Sequence, residues 1–170
     1  PFVILDLKIT EVNVGDNDYV KLENRSAYCA ISLDGFELRL QDNYTPQPGV
    51  NVKLPDYVLQ PQMGIYVAES PKAGDINIFT NVNFASHAGG FVTLCKGPCD
   101  MNNGMGITDA LAFDGQQIAG PVLPPPATFT GTFKLPNNFD QDNQSIVRNK
   151  YDGVMPSFLA TDWAVGNASY

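Results

Sequence analysis

The stretch from Leu5 to Asn24 constrains the fold more than any other part of the chain. Leu5, Leu7 and Ile9 alternate with Asp6, Lys8 and Thr10, the period-two pattern of a strand with one buried face. Gly15-Asp16-Asn17 interrupts the run with residues that tolerate tight-turn dihedrals. Val20 and Leu22 then resume the alternation against Lys21 and Glu23. Two amphipathic strands joined by a turn read as a β-hairpin, and a lone hairpin cannot hide its apolar face from water. The rest of the chain has to cover it.

It does so with more short strands. Tyr28 to Leu33 is apolar enough for a strand, Asp34-Gly35 is a two-residue turn signal, and Phe36 to Leu40 alternates cleanly. Residues 41–49 read as a loop, and Val50, Val52 and Leu54 alternate again. Val58 to Gly64 reads as a turn leading into the strand Ile65 to Ala68. Ile76 to Phe79, Val82 to Phe84, Phe91 to Cys95 and Ile107 to Phe113 complete the set. No window shows a helical period, and thirteen Pro and fifteen Gly argue against long helices. Brief strands with turn signals about every ten residues predict an all-β sandwich or barrel over residues 1–120.

Residues 121–170 differ. Pro121 to Pro126 is Pro-rich and extended, residues 131–143 are polar, and Ser145 to Arg148 is one more short strand. Phe158 and Trp163 cannot stay in water cheaply. The segment is therefore expected to fold back on the sandwich as an irregular extension within the same domain.

At 170 residues the chain suits one domain with a real core. Ten basic against eighteen acidic residues give a net charge of −8, and the basic ones are scattered. Nucleic acid needs a basic stripe, and anionic membranes are disfavoured on the same ground. The plain reading of the acidity is solubility. No apolar run approaches the ~20 residues that cross a bilayer, so membrane insertion is not expected. The opening Pro1-Phe2-Val3 lacks the pattern of a secretory leader. A different processing event, or a start inside a longer chain, is expected.

Cys95-Lys96-Gly97-Pro98-Cys99 permits a tight loop closed by a disulfide. The rival reading, half of a metal site, lacks the further Cys and His ligands. A disulfide implies an oxidising compartment. Cys29 is then left over, read as a small buried hydrophobe, with an intermolecular bridge as its alternative. Four Asn-x-Ser/Thr sequons start at Asn24, Asn43, Asn143 and Asn167. Chance predicts about one or two. Asn43, Asn143 and Asn167 are candidate glycan acceptors, whereas Asn24, at a strand end, is better suited to satisfying backbone groups. Asp140 and Asp142, with Asn138 and Asn143, put oxygen ligands in one loop and are candidate calcium ligands, weighed against plain solvated acids. Asp16 and Asp18 in the hairpin turn form an acid pair that nothing encloses. His87 is the only histidine, no Gly-x-Ser-x-Gly surrounds a serine, and a Cys29–His87 dyad would need an exposed, activated thiol. No catalytic set, cofactor site or phosphate-cradling loop is predicted.

Several segments resemble the lamin tail domain family. Ile9-Thr10-Glu11-Val12-Asn13 with Asp18 to Asn24 is similar to its opening, and Ile31 to Leu38 to its next segment. Leu59-Gln60-Pro61-Gln62-Met63-Gly64-Ile65-Tyr66-Val67 resembles its turn and valine-rich strand, with Gln62 and Met63 in place of the usual immediate glycine. Gly89 to Leu94, Thr108 to Phe113, Ser145 to Arg148 and Ala160 to Trp163 resemble its later segments. Lys21 stands where many members carry an acid, and Phe36 where many carry Trp. The resemblance implies an immunoglobulin-like β-sandwich with no activity of its own. Secreted members sit beside nucleases or hydrolases, or in surface proteins, and carry similar Cys pairs at this strand connection. The expectation is a non-enzymatic, extracellular or cell-surface module in structure or adhesion, with protein partners or self-association. Phe2 to Leu5 is a candidate for strand exchange between copies. The alternative is an accessory binding or targeting module of a secreted nuclease or hydrolase. A third reading, a hydrolase in its own right, needs a pocket where His87 meets Cys29 or an Asp.

Overall fold

The computed structural model describes residues 6–15, 18–42, 50–70, 77–80, 82, 89–100, 104–114, 129–130, 132–151 and 158–169. Phe2 to Leu5, Asp16, Asn43, His87, and Pro121 to Pro126 lie outside them.

Leu7–Asn13 (β1) and Tyr19–Asn24 (β2) pair antiparallel, with Leu7 opposite Asn24 and Asn13 opposite Tyr19. The register shifts between Ile9 and Glu11, making Thr10 the extra residue of a bulge. That bulge explains a change of phase in the sequence. Leu7 and Ile9 are in the core, and so are Val12 and Val14, one step out of phase with them. The extra residue lets both pairs face inward and turns Glu11 to the outer face.

The further strands are Ile31–Ser32 (β3), Phe36–Asp42 (β4), Val50–Lys53 (β5), Val58–Leu59 (β6), Gly64–Ala68 (β7), Asn77–Phe79 (β8), Gly89–Lys96 (β9) and Ile107–Asp114 (β10). Phe129–Thr130 (β11), Phe133–Lys134 (β12), Gln144–Arg148 (β13), Phe158–Leu159 (β14) and Trp163–Asn167 (β15) follow. Among the described residues the only helical turn is the 3-10 segment Ala160–Asp162. One sheet runs β15-β13-β1-β2-β7-β8 and another β12-β10-β9-β4-β5, with two small pairs, β11-β14 and β3-β6. Leu22, Ile65, Val67 and Ile146 of the first sheet share one apolar cluster with Leu38, Leu40, Leu94, Leu111 and Phe113 of the second. The fold is all-β, two sheets closed face to face like a sandwich.

The C-terminal segment is more regular than its polar composition suggests. β13 pairs with β1, placing Val147 opposite Glu11 and Ile146 opposite Val12, and β15 pairs with β13. Trp163 is buried in the common core. The reason is alternation: Ile146 and Arg148 face in while Ser145 and Val147 face out, so β13 continues the pleat of β1. β12 likewise lies parallel beside β10, in a stretch whose polar residues gave no strand signal.

Four local expectations are corrected. The stretch from Tyr28 to Leu33 forms a strand only at Ile31–Ser32, which pairs with Val58–Leu59, itself expected to be part of a turn. Side chains take the place of a ladder before it. Asn24 Oδ1 accepts from Ser26 N at 3.0 Å, and Ser26 Oγ accepts from Cys29 N at 2.9 Å. Cys29 is consequently exposed, not a core residue. In the hairpin, Asp18 is buried rather than open to solvent.

Candidate functional site

Three places gather chemistry-bearing side chains. The first is inside the sandwich. Asp109 stands in phase with Leu111 and Phe113 on β10, and Arg148 in phase with Ile146 on β13, so both point between the sheets. Arg148 Nη1 donates to Asp109 Oδ2 at 2.6 Å, with the side chains 3% and 0% exposed. The same carboxylate oxygen accepts from Ile9 N at 2.7 Å, and Arg148 Nη1 also donates to Ile9 O at 3.3 Å. The guanidinium lies 4.9 Å from the Trp163 ring centre and 5.6 Å from that of Tyr151. An ion removed from water costs several kcal/mol unless its partner and hydrogen bonds compensate, which is what these contacts do. The site ties β1, β10, β13 and β15 at one point.

The second is on the outer face of the six-stranded sheet. The Glu11 carboxylate accepts from the hydroxyl of Tyr19, from Ser145 Oγ at 2.5 Å, from Ser169 N at 2.8 Å and from Ser169 Oγ. Tyr66 OH lies 2.9 Å from Ser169 Oγ, and the Tyr19 and Tyr66 rings meet edge to face at 5.5 Å. Burial, and then the hydrogen bond to Glu11 and its charge, push the Tyr19 phenol far above its ordinary value. Beside them Lys21 reaches Glu23 at 2.9 Å. Burial draws the Lys21 ammonium down, but the hydrogen bond and charge of Glu23, helped by Tyr66 and Glu11, leave it raised.

The third is an open groove of about 410 Å³ lined by Asp34, Gly35, Phe36, Glu37, Lys53, Leu54, Gly97 and Pro98. Cys95 and Cys99 lie at disulfide distance, their Cα atoms 5.5 Å apart, and the loop they close forms one wall. Gly97 N donates to Gly35 O at 2.8 Å, and Lys96 Nζ donates to Asp34 O while covering the Phe36 ring at 4.4 Å. Glu37 is paired with Arg39 at 2.9 Å.

The remaining predicted positions stand apart from these sites. Asp140 and Asp142 are exposed, and Asp140 accepts from Asp142 N at 3.1 Å and Asn143 Nδ2 at 3.0 Å. The Asn143 amide holds the Asp140 carboxyl below its usual value. Among the described residues no group of three or more His, Cys, Asp or Glu is placed to hold a metal ion. Asn143 and Asn167 are exposed, and Asn24 is fully buried, donating to Cys29 O at 2.8 Å and Leu59 O at 3.0 Å. The serines of three sequons have structural work: Ser26 holds the loop to Cys29, and Ser145 and Ser169 both feed Glu11.

The first two sites were missed in the sequence, although each left a signal. Asp109 and Arg148 occupy the apolar phase of their strands, and Glu11 falls where the alternation of β1 changes phase. Among the described residues, no helix is long and apolar enough to cross a membrane. No known family's model matches the chain, and a search of curated proteins finds no relative.

Proposed function

We propose that the chain is a non-catalytic extracellular module with a structural or adhesive role, built on the immunoglobulin-like sandwich that its motifs resemble in the lamin tail domain. One observation carries this reading: the buried charges Asp109, Arg148 and Glu11 bind strands together. Their hydrogen-bond partners come from β1, β2, β10, β13 and the segment after β15. A catalytic acid needs an open approach to substrate as well as a tuned environment. The Cys95–Cys99 pair supports an oxidising compartment. Exposed Tyr28, Val58 and Met63 supply apolar surface of the kind protein partners use.

The groove beside the disulfide loop favours a second reading, an accessory module that holds a ligand for a neighbouring hydrolase or nuclease domain. The full reading frame separates the two, since the accessory role requires a catalytic domain in the same product. Sedimentation of the chain over a range of concentrations, with parallel assays on phosphodiester, ester and glycoside substrates, tests the main reading. Association with no turnover is expected. A strict monomer that hydrolyses any of these substrates would overturn it.

A further inference from the structure

The interior ion pair joins through one atom from each side, Arg148 Nη1 and Asp109 Oδ2. The second atoms, Arg148 Nε and Asp109 Oδ1, are equally shut off from solvent, yet neither has a hydrogen-bond partner among the described residues. Buried polar atoms are nearly always satisfied, by protein or by ordered water. These two are complementary, because Nε–H can only donate and Oδ1 of a carboxylate can only accept. Each is two bonds from an atom of the 2.6 Å contact, so that contact limits how far apart they can lie.

We infer that this pair is the binding site of one internal water molecule. The occupant must accept a hydrogen bond from Nε–H and donate one to Oδ1. A metal cation cannot accept from Nε–H, and an anion without a proton has nothing to donate to Oδ1. The pair is already neutral as a whole, so no net charge is required of the guest. A single water meets all of these conditions and brings the two to four polar contacts that internal waters make. It closes the Asp109–Arg148 contact into a ring, with one direct bond and one bridged, and so couples β10 to β13 twice. Thr10 Oγ1, next to Ile9 on the bulge, is a further buried oxygen without a partner among the described residues.

A crystal structure of the native chain at a resolution that places waters tests this directly. The expected result is one ordered water within about 2.7–3.2 Å of both Arg148 Nε and Asp109 Oδ1. In solution, the Arg148 Nε–H should show a dipolar contact to a long-lived water. A direct Nε–H to Oδ1 bond, a protein group in the gap, or both atoms left without any water would each reject the site.

Discussion

Ser169 donates both its backbone N–H and its hydroxyl to the carboxylate of Glu11, 158 positions earlier in the chain. The contact fastens the segment after β15 onto β1, across the intervening β13. Glu11→Ala should leave the buried Ser145 hydroxyl without its acceptor and take from Tyr19 and Ser169 the carboxylate they donate to, with the Ser169 N–H keeping its 3.1 Å bond to the Tyr19 oxygen. A buried donor so orphaned costs about 1–3 kcal/mol, so urea unfolding should report at least that loss. Hydrogen exchange should accelerate at the Ser169 amide. Glu11→Gln keeps an acceptor oxygen and should lose less.

Tyr19 makes stability sensitive to alkali. Its phenol is raised above the ordinary 10.0, first by burial and then by Glu11, so the folded state favours the neutral form. That contribution is fully present below the unfolded value of about 10 and is lost as pH rises past it. Urea midpoints measured from neutral pH to about pH 11 should fall more steeply in the native chain than in Tyr19→Phe. Parallel slopes would speak against the assignment.

The three cysteines should differ in reactivity. Cys29 is exposed, while Cys95 and Cys99 are buried at disulfide distance. Iodoacetamide added to the native, unreduced chain should label Cys29 alone, and reduction under denaturing conditions should add the other two. Mass analysis of peptides reads this out, and alkylation at Cys95 or Cys99 without reductant would remove the support for an oxidising compartment.

Two glycines near that loop separate backbone strain from crowding. Gly97 has φ +74° with open space where a Cβ would sit, whereas Gly106 has φ +85° and a Cβ there would lie 2.4 Å from Pro98 O. Gly97→Ala should cost only the left-handed penalty, about 1–2 kcal/mol. Gly106→Ala should cost more, because the obstructing atom is backbone and cannot swing away. Thermal unfolding of the two variants side by side measures the difference.

The strands were legible wherever one face is buried. β1, β2, β4 and β10 follow their apolar alternation, because a period-two pattern is a direct record of which side chains face the core, whereas β9 is buried on both faces and shows as a mostly apolar run. The role of Asn24 could be anticipated from its place at a strand end. Tyr28, Cys29 and Ala30 misled because their apolar character suggests a ladder, while Asn24 and Ser26 had already satisfied the backbone there. The ion pair and the Glu11 cluster were hidden for another reason. Asp109 and Arg148 are 39 positions apart, and Glu11 and Ser145 are 134 apart, so only the sheet order brings them together. The β12–β10 contact is parallel and two residues long, too short to leave a period.

Buried charge serves the fold, and a double-mutant cycle on Asp109 and Arg148 tests this most directly. Asp109→Leu and Arg148→Met each strand a buried ion, which costs about 3–5 kcal/mol. The double variant removes both ions and should lose less than the two single losses together, by a coupling near the upper end of the about 0.5–3 kcal/mol seen for contacting pairs. Some loss should remain, because Ile9 N–H still lacks its acceptor. Single variants as stable as the native chain but deficient in a binding or hydrolytic activity would contradict the account.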